Sequence, residues 1–248
     1  MKNKFYNMLM RDDFASQILN NQDLLITLIP EMKYTIGFSQ NNPYHAHDVF
    51  IHTIHALENC ETKDVVVKLA LLFHDIGKPH CYQDDEDGTR HFRGHGKVSA
   101  EITEKVLTRL SFEETTKNHI VELVYYHDIP FEVNEKHIKR WINKIGETQF
   151  RRLLKIRRAD IKGQNPNYES SRIDKVDDVE WLLNEIILEN TSFSVKDLAI
   201  NGNDLIKIGY NPEKELGATL QKLADSVTIG KVKNNKEELL VLAKKWLE

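Results

Sequence analysis

The stretch LLFHDIGKP, residues 71–79, runs from large apolar side chains straight into a histidine and an aspartate, then into Gly77, Lys78 and Pro79. An unpaired carboxylate in a protein core costs several kcal/mol even after relaxation, so a chain that places Asp75 there should supply a cation nearby. Val65, Val66, Val67, Leu69, Ala70, Leu71, Leu72 and Phe73 make the preceding segment apolar almost all round, which predicts a central, buried helix over 64–75. His74 and Asp75 fall in its last turn. There the partial negative charge of a helix end favours a cation, and Gly77 followed by Pro79 stops the helix. Successive helical residues diverge by about 100°, so His74 and Asp75 can hold one ion only where the helix terminates.

Other candidate ligands occupy comparable places. His52, in HDVFIHTIHAL, shares an inward stripe with Val49, Thr53 and Ala56. His95 lies between Gly94 and Gly96, just before a predicted helix. His127 continues the stripe of Ile120, Leu123 and Val124 to a helix end ahead of Asp128 and Pro130. Asp160 shares a face with Leu153 and Ile156 and closes its own helix. A lone histidine on an apolar helix face is ordinarily a hydrogen-bonded core residue. Imidazoles and carboxylates gathered at inward helix ends, beside a buried His–Asp pair, point instead to a metal site with nitrogen and oxygen ligands.

The rest of the chain narrows the class. Its 248 residues are 40% hydrophobic and 29% charged, which is ordinary for a globular protein with a full core. A net charge of -4 argues against a protein that simply coats nucleic acid. Residues 136–158 are a local exception, with nine lysines and arginines against the single acid Glu147. Cys60 and Cys81 form no CxxC pair, which fits a reducing compartment, the cytoplasm by expectation, and excludes a disulfide framework or a thiolate zinc cluster. No signal-peptide-like segment opens the sequence, and VVVKLALLF is too short to span a bilayer, so no membrane role is expected.

Eleven glycines, six prolines and apolar spacings of three and four predict an all-α fold, a helical bundle. Helices are expected over about 12–29, 46–60, 64–75, 97–110, 113–127, 135–145, 147–161, 174–189, 203–208, 212–226 and 235–247. HCYQDDEDGTRHF, residues 80–92, predicts a small β-hairpin around Asp87–Gly88. Its acidic tip is not an EF-hand loop, because Gln83 and Gly94 stand where that loop needs acids. KGQNPNYESS, residues 162–171, reads as a polar linker between a histidine-rich domain, 1–165 with its core at about 40–162, and a helical C-terminal region, 166–248.

The order H…HD…H…H…D, carried by His52, His74–Asp75, His95, His127 and Asp160, resembles the HD-domain metal-dependent phosphohydrolases. IPEM at 29–32, GFSQNNPYHAHDVFIHT at 37–53, LLFHDIGKP, HFRGHGKVSAE at 91–101 and RRAD at 157–160 look like the HD region of bacterial tRNA nucleotidyltransferases, the CCA-adding enzymes. The tail from Lys196 to Leu247, with LAINGNDLIKIGY, Gly217 and NNKEELL, is similar to the end of the same enzymes. The first 40 residues hold no Gly-rich turn followed by paired aspartates, so no nucleotidyltransferase head is read and nucleotide addition is not expected.

The resemblance implies that His52, His74, Asp75 and Asp160 hold one divalent ion and that Asp75 bridges to a second held by His95 and His127. One or two ions per chain are expected, drawn from manganese, iron, nickel, cobalt, magnesium and zinc. The implied reaction is hydrolysis of phosphate esters in nucleotides or RNA ends, 2′,3′-cyclic ends included, with Asp75 and Lys78 catalytic. Lys78, Arg140, Arg157 and Arg158 are the expected phosphate contacts, and His45 and His47 the expected supports of His52. The alternative is a tRNA- or RNA-binding or processing module with a structural metal. Expected partners are a nucleotide or phosphate-ester substrate and RNA or tRNA.

Overall fold

The computed structural model describes residues 2–60, 62–191, 195–211, 215–228 and 230–247. Among them the chain is all-α apart from one small hairpin. Its helices are α1 (Lys2–Leu9), α2 (Phe14–Asn20), α3 (Gln22–Leu28), α4 (Val49–Glu58), α5 (Val65–Phe73), α6 (His95–Arg109), α7 (Glu114–Tyr126), α8 (Glu135–Ile145), α9 (Glu147–Lys162), α10 (Ser170–Thr191), α11 (Gly202–Lys207), α12 (Leu216–Thr228) and α13 (Lys236–Lys244). Strands β1 (Gln83–Asp84) and β2 (Arg90–His91) pair antiparallel, Gln83 opposite His91 and Asp84 opposite Arg90. None of the described helices is long and apolar enough to cross a membrane.

Packing divides the chain into two compact units, Met1–Leu182 and Leu183–Glu248. The first is built around α5, which packs against α4, α6, α7 and α9 and is buried from Val66 to Phe73. Asp64 starts α5 by accepting a hydrogen bond from the Val66 amide. Lys68, the one charged residue in this helix, is buried because its Nζ donates to the carbonyls of Leu9 (3.1 Å) and Arg11 (2.7 Å), satisfying acceptors left open at the end of α1. The helix expected over 12–29 is two, broken at Asn21, whose backbone is non-helical (φ −127, ψ 41) and whose Nδ2 donates to the Gln17 carbonyl.

The polar stretch 162–171 belongs to the first unit by its bonds. The Asn165 amide donates to the Tyr44 carbonyl (2.9 Å) and Asn165 Nδ2 to that of Pro43 (2.9 Å). In the second unit Leu198, Ile200, Leu205, Tyr210, Leu223, Ala224, Val227, Leu239 and Ala243 form the core. Asn201 opens α11 with a capping box: its side chain accepts from the Asp204 amide, and the Asp204 carboxylate accepts from the Asn201 amide.

Candidate metal centre

Ends of α4, α5, α6, α7 and α9 bring the expected ligands together. Asp75 lies at the centre with its two oxygens turned to different histidine pairs. Oδ2 is 3.4 Å from His52 Nε2 and 3.2 Å from His74 Nε2, while Oδ1 is 3.3 Å from His95 Nε2 and 3.6 Å from His127 Nε2. Asp160 Oδ1 completes the first group, 3.0 Å from His52 Nε2 and 3.6 Å from His74 Nε2. His52, His74, Asp75, His95, His127 and Asp160 are all buried.

All four imidazoles are held the same way round. His74, His95 and His127 each set Nδ1 against the carbonyl three residues earlier, Leu71 (2.7 Å), Phe92 (2.8 Å) and Val124 (2.7 Å), and His52 Nδ1 lies 3.0 Å from the Gly163 carbonyl. A carbonyl only accepts, so Nδ1 carries the proton and the lone pair of each neutral ring lies on Nε2. The Nε2 atoms then face each other in pairs, 3.2 Å for His52 and His74 and 2.9 Å for His95 and His127. Two lone pairs at that distance repel unless a positive charge sits between them. Donor bonds of about 2.1 Å at tetrahedral or octahedral angles give edges of roughly 3.0–3.4 Å, so the residues fit a divalent ion in each group.

Two glycines permit this convergence. A Cβ on Gly163 would stand 2.8 Å from the Ala56 amide nitrogen of α4, and one on Gly77 would stand 2.6 Å from the Ser99 amide nitrogen of α6. The α5 terminus also closes on α6 through the Gly77 amide, which donates to Ser99 Oγ (2.9 Å).

Electrostatics point the same way. Both Asp75 oxygens are buried and make no hydrogen bond; Lys78 Nζ reaches Oδ2 at 2.7 Å as an ion pair, outside hydrogen-bonding geometry, and donates properly to Gln40 Oε1 (2.8 Å). Burial would raise the Asp75 carboxyl, yet the charges of His74 and Lys78 hold it well below the usual carboxylate range. Asp160 is likewise held low against its burial, by His52 and His74. Burial would lower His74, but Asp75 and Asp160 push it up to about 10. His127 is lowered, chiefly by burial. The cluster therefore favours positive charge at the ligand atoms, supplied by a proton or by a metal ion.

A cavity of about 310 Å³ opens onto Asp75, Lys78, His95, His127 and Asp160, while His52 and His74 lie away from its walls. The basic residues expected to bind phosphate part company. Arg157 does not line the cavity but bonds to two residues that do, to Asp128 Oδ1 (3.0 Å) and to the carbonyl of His127 (3.3 Å). Arg158 turns to α10 and pairs with Asp177 and Glu180, and Arg140 lies in a separate surface groove beside His137. Neither lines the cavity. Of the expected supports, His45 packs edge-on to His52 with ring centres 5.2 Å apart, whereas His47 packs on His55. Sequence reasoning passed over Arg172, Arg90, Arg93 and Gln164, which line the cavity from distant segments. Gln164 joins the ligand set by donating to Asp160 Oδ1 (2.9 Å).

The sequence pattern described as tRNA nucleotidyltransferase domain 2 matches residues 85–243. The chain belongs to the tRNA nucleotidyltransferase domain 2 family. The matched range takes in His95, His127 and Asp160. Over its whole length the chain is 27% identical to the A-adding tRNA nucleotidyltransferase of Deinococcus radiodurans, 58% of which it covers. Over 47% of its length it is 32% identical to the CC-adding tRNA nucleotidyltransferase of Thermus thermophilus, covering 28% of that protein. This family member therefore spans only part of the length of the curated relatives it matches.

Proposed function

We propose that the chain is a tRNA-directed, HD-type phosphohydrolase that binds divalent metal and hydrolyses phosphate esters at RNA ends or in nucleotides. The observation that carries this reading is Asp75, a buried carboxylate beside a cavity whose two oxygens face two separate imidazole pairs and enter no hydrogen bond. A structural site is ordinarily closed by its protein ligands, whereas a group that opens onto a cavity leaves room for substrate.

Divalent ions held by His52, His74, Asp75 and Asp160, and by Asp75, His95 and His127, would supply Lewis acidity toward phosphoryl oxygens and a nucleophile at neutral pH. The chain's own residues do the rest. The backbone carbonyls fix each ring, so donor atoms are aimed before ligand arrives. Lys78 keeps Asp75 ionised and presents a cation to the cavity. Direction toward tRNA rests on the relatives, whose names are those of A-adding and CC-adding tRNA nucleotidyltransferases.

Those names favour a second reading over the first, an RNA-binding or RNA-processing module with a structural metal. One experiment separates the two. Metal-stripped protein is reloaded with manganese, cobalt, nickel, magnesium or zinc and given nucleoside monophosphates, 2′,3′-cyclic nucleotides and tRNA ending in a cyclic phosphate. Metal-dependent hydrolysis abolished by chelator is expected. A salt-dependent tRNA gel shift with no hydrolysis under any metal would leave the binding module standing.

A further inference from the structure

The cavity over Asp75 does not end at the metal ligands. Tyr44 and Arg172 line it and also line a second cavity of about 500 Å³, whose other walls include Tyr168, Asn167, Ser170 and Ser171. The two spaces thus share a wall and differ in chemistry. Toward Asp75 the lining is ionic, with Lys78, Arg90, Arg93 and Arg172. Away from it the lining is mainly aromatic, amide and hydroxyl groups, with Asp174 as its one carboxylate. Tyr44 and Tyr168 meet there with ring centres 4.8 Å apart at 59°, forming a corner, and they stay 48% and 41% exposed although each is large and apolar in body.

Arg172 stands at the junction. Its guanidinium lies 5.8 Å from the Tyr44 ring centre and donates to Gln164 Oε1, which in turn binds Asp160. It is partly buried, and burial lowers its pKa, with Arg157 adding repulsion. Among the described residues it has no carboxylate partner within ion-pair distance, unlike Arg157 and Arg158. A partly desolvated guanidinium with one neutral partner is suited to an anion arriving from outside. Aromatic faces beside it suit a nucleobase, because stacking accepts any base and is indifferent to sequence.

We propose that Tyr44, Tyr168 and Arg172 form a nucleotide subsite: the base of one unpaired nucleotide stacks in the Tyr44–Tyr168 corner, and Arg172 holds its phosphate toward Asp75. The stretch 162–171 thereby gains a role. Asn165 ties it to Tyr44 and Pro43, so both halves of the corner are carried on segments locked to each other. The inference deepens the hydrolase reading by naming what lies next to the scissile phosphate.

The test uses the full chain with manganese and two ligands that cannot be hydrolysed, the phosphonate analogues of AMP and of ribose 5-phosphate, titrated by calorimetry. Wild type should prefer the adenosine ligand by about tenfold or more, the scale of one base–aromatic stack. Tyr44→Ala and Tyr168→Ser should each bring that ratio toward one, while Tyr44→Phe keeps it; unchanged metal stoichiometry and helicity certify that the variants fold. Arg172→Ala should weaken both ligands by about tenfold. A wild-type ratio near one overturns the subsite and leaves the metal-site reading untouched. A ratio that survives both tyrosine changes also overturns it, as does no binding of either ligand. A clear base preference in a protein that hydrolyses no ester supports the subsite and sinks the hydrolase.

Discussion

The cores of the two units are built on opposite terms. In Leu183–Glu248 the core is a run of aliphatic side chains and one tyrosine, and buried Asp204 is spent on the α11 cap and on Lys236 (2.7 Å). In Met1–Leu182 the middle of the bundle encloses His52, His74, Asp75, His95, His127 and Asp160. Both cores fold through the same helical periodicity, so periodicity alone does not require such a cluster. Enclosing carboxylates costs stability unless counter-charge is enclosed with them. The difference teaches where to look for chemistry: the second core needs only to hold together, and the first carries groups that packing would have excluded.

Five experiments test that contrast. The largest effect is expected from Asp75→Asn, which should remove both ions by elemental analysis and cut hydrolysis by about a thousandfold or more; retention of full metal content would break the bridging role. His127→Ala should lose one ion and about 10²–10³ in turnover. Unchanged stoichiometry with activity lost would leave a single-ion mechanism in its place. In the apolar core, Leu205→Ala should cost about 2–5 kcal/mol of local stability, read by hydrogen exchange, with metal content unaltered.

The fourth is a pH dependence. His74 rises from 6.5 to about 10 in the folded chain, so the stability its proton contributes is complete below 6.5 and lost as pH climbs through 10. A metal ion displaces that proton. Metal affinity, measured by chelator competition, should therefore rise with pH across this window by up to about tenfold per unit, and a flat profile would show that no ligand proton is released. Asp75 and Asp160 act oppositely, since their lowered values give stability that fails only in acid, as pH falls below 3.8. The smallest effect is expected from Asn201→Ala, about 1 kcal/mol of thermal stability through the lost α11 cap.

Much of the candidate cluster was legible because its residues sit at helix ends inside apolar stripes, a local pattern. The helix over 64–75 is α5 with His74 and Asp75 just past its end, and the hairpin around Asp87–Gly88 is β1 and β2. What the sequence hid was pairing at a distance. Arg158 reads as a free phosphate-binding residue until Asp177 and Glu180, a helix away, are seen to take its charge. Arg172 reads as one more surface residue until the fold sets it beside Gln164 and Tyr44. The helix over 12–29 divided because Asn21 bonds back to the Gln17 carbonyl, a local competition that hydrophobic periodicity does not register.

The bonds from each imidazole Nδ1 to the main chain bear on time as well as geometry. No ring can swing clear of the cluster without surrendering a hydrogen bond to Leu71, Phe92, Val124 or Gly163. Three of those acceptors lie in the turn that carries the histidine itself, so freeing a ring means opening that turn. Escape of an ion from the proposed centre would then be gated by local unfolding at a helix end, and its residence time set by how often those turns open.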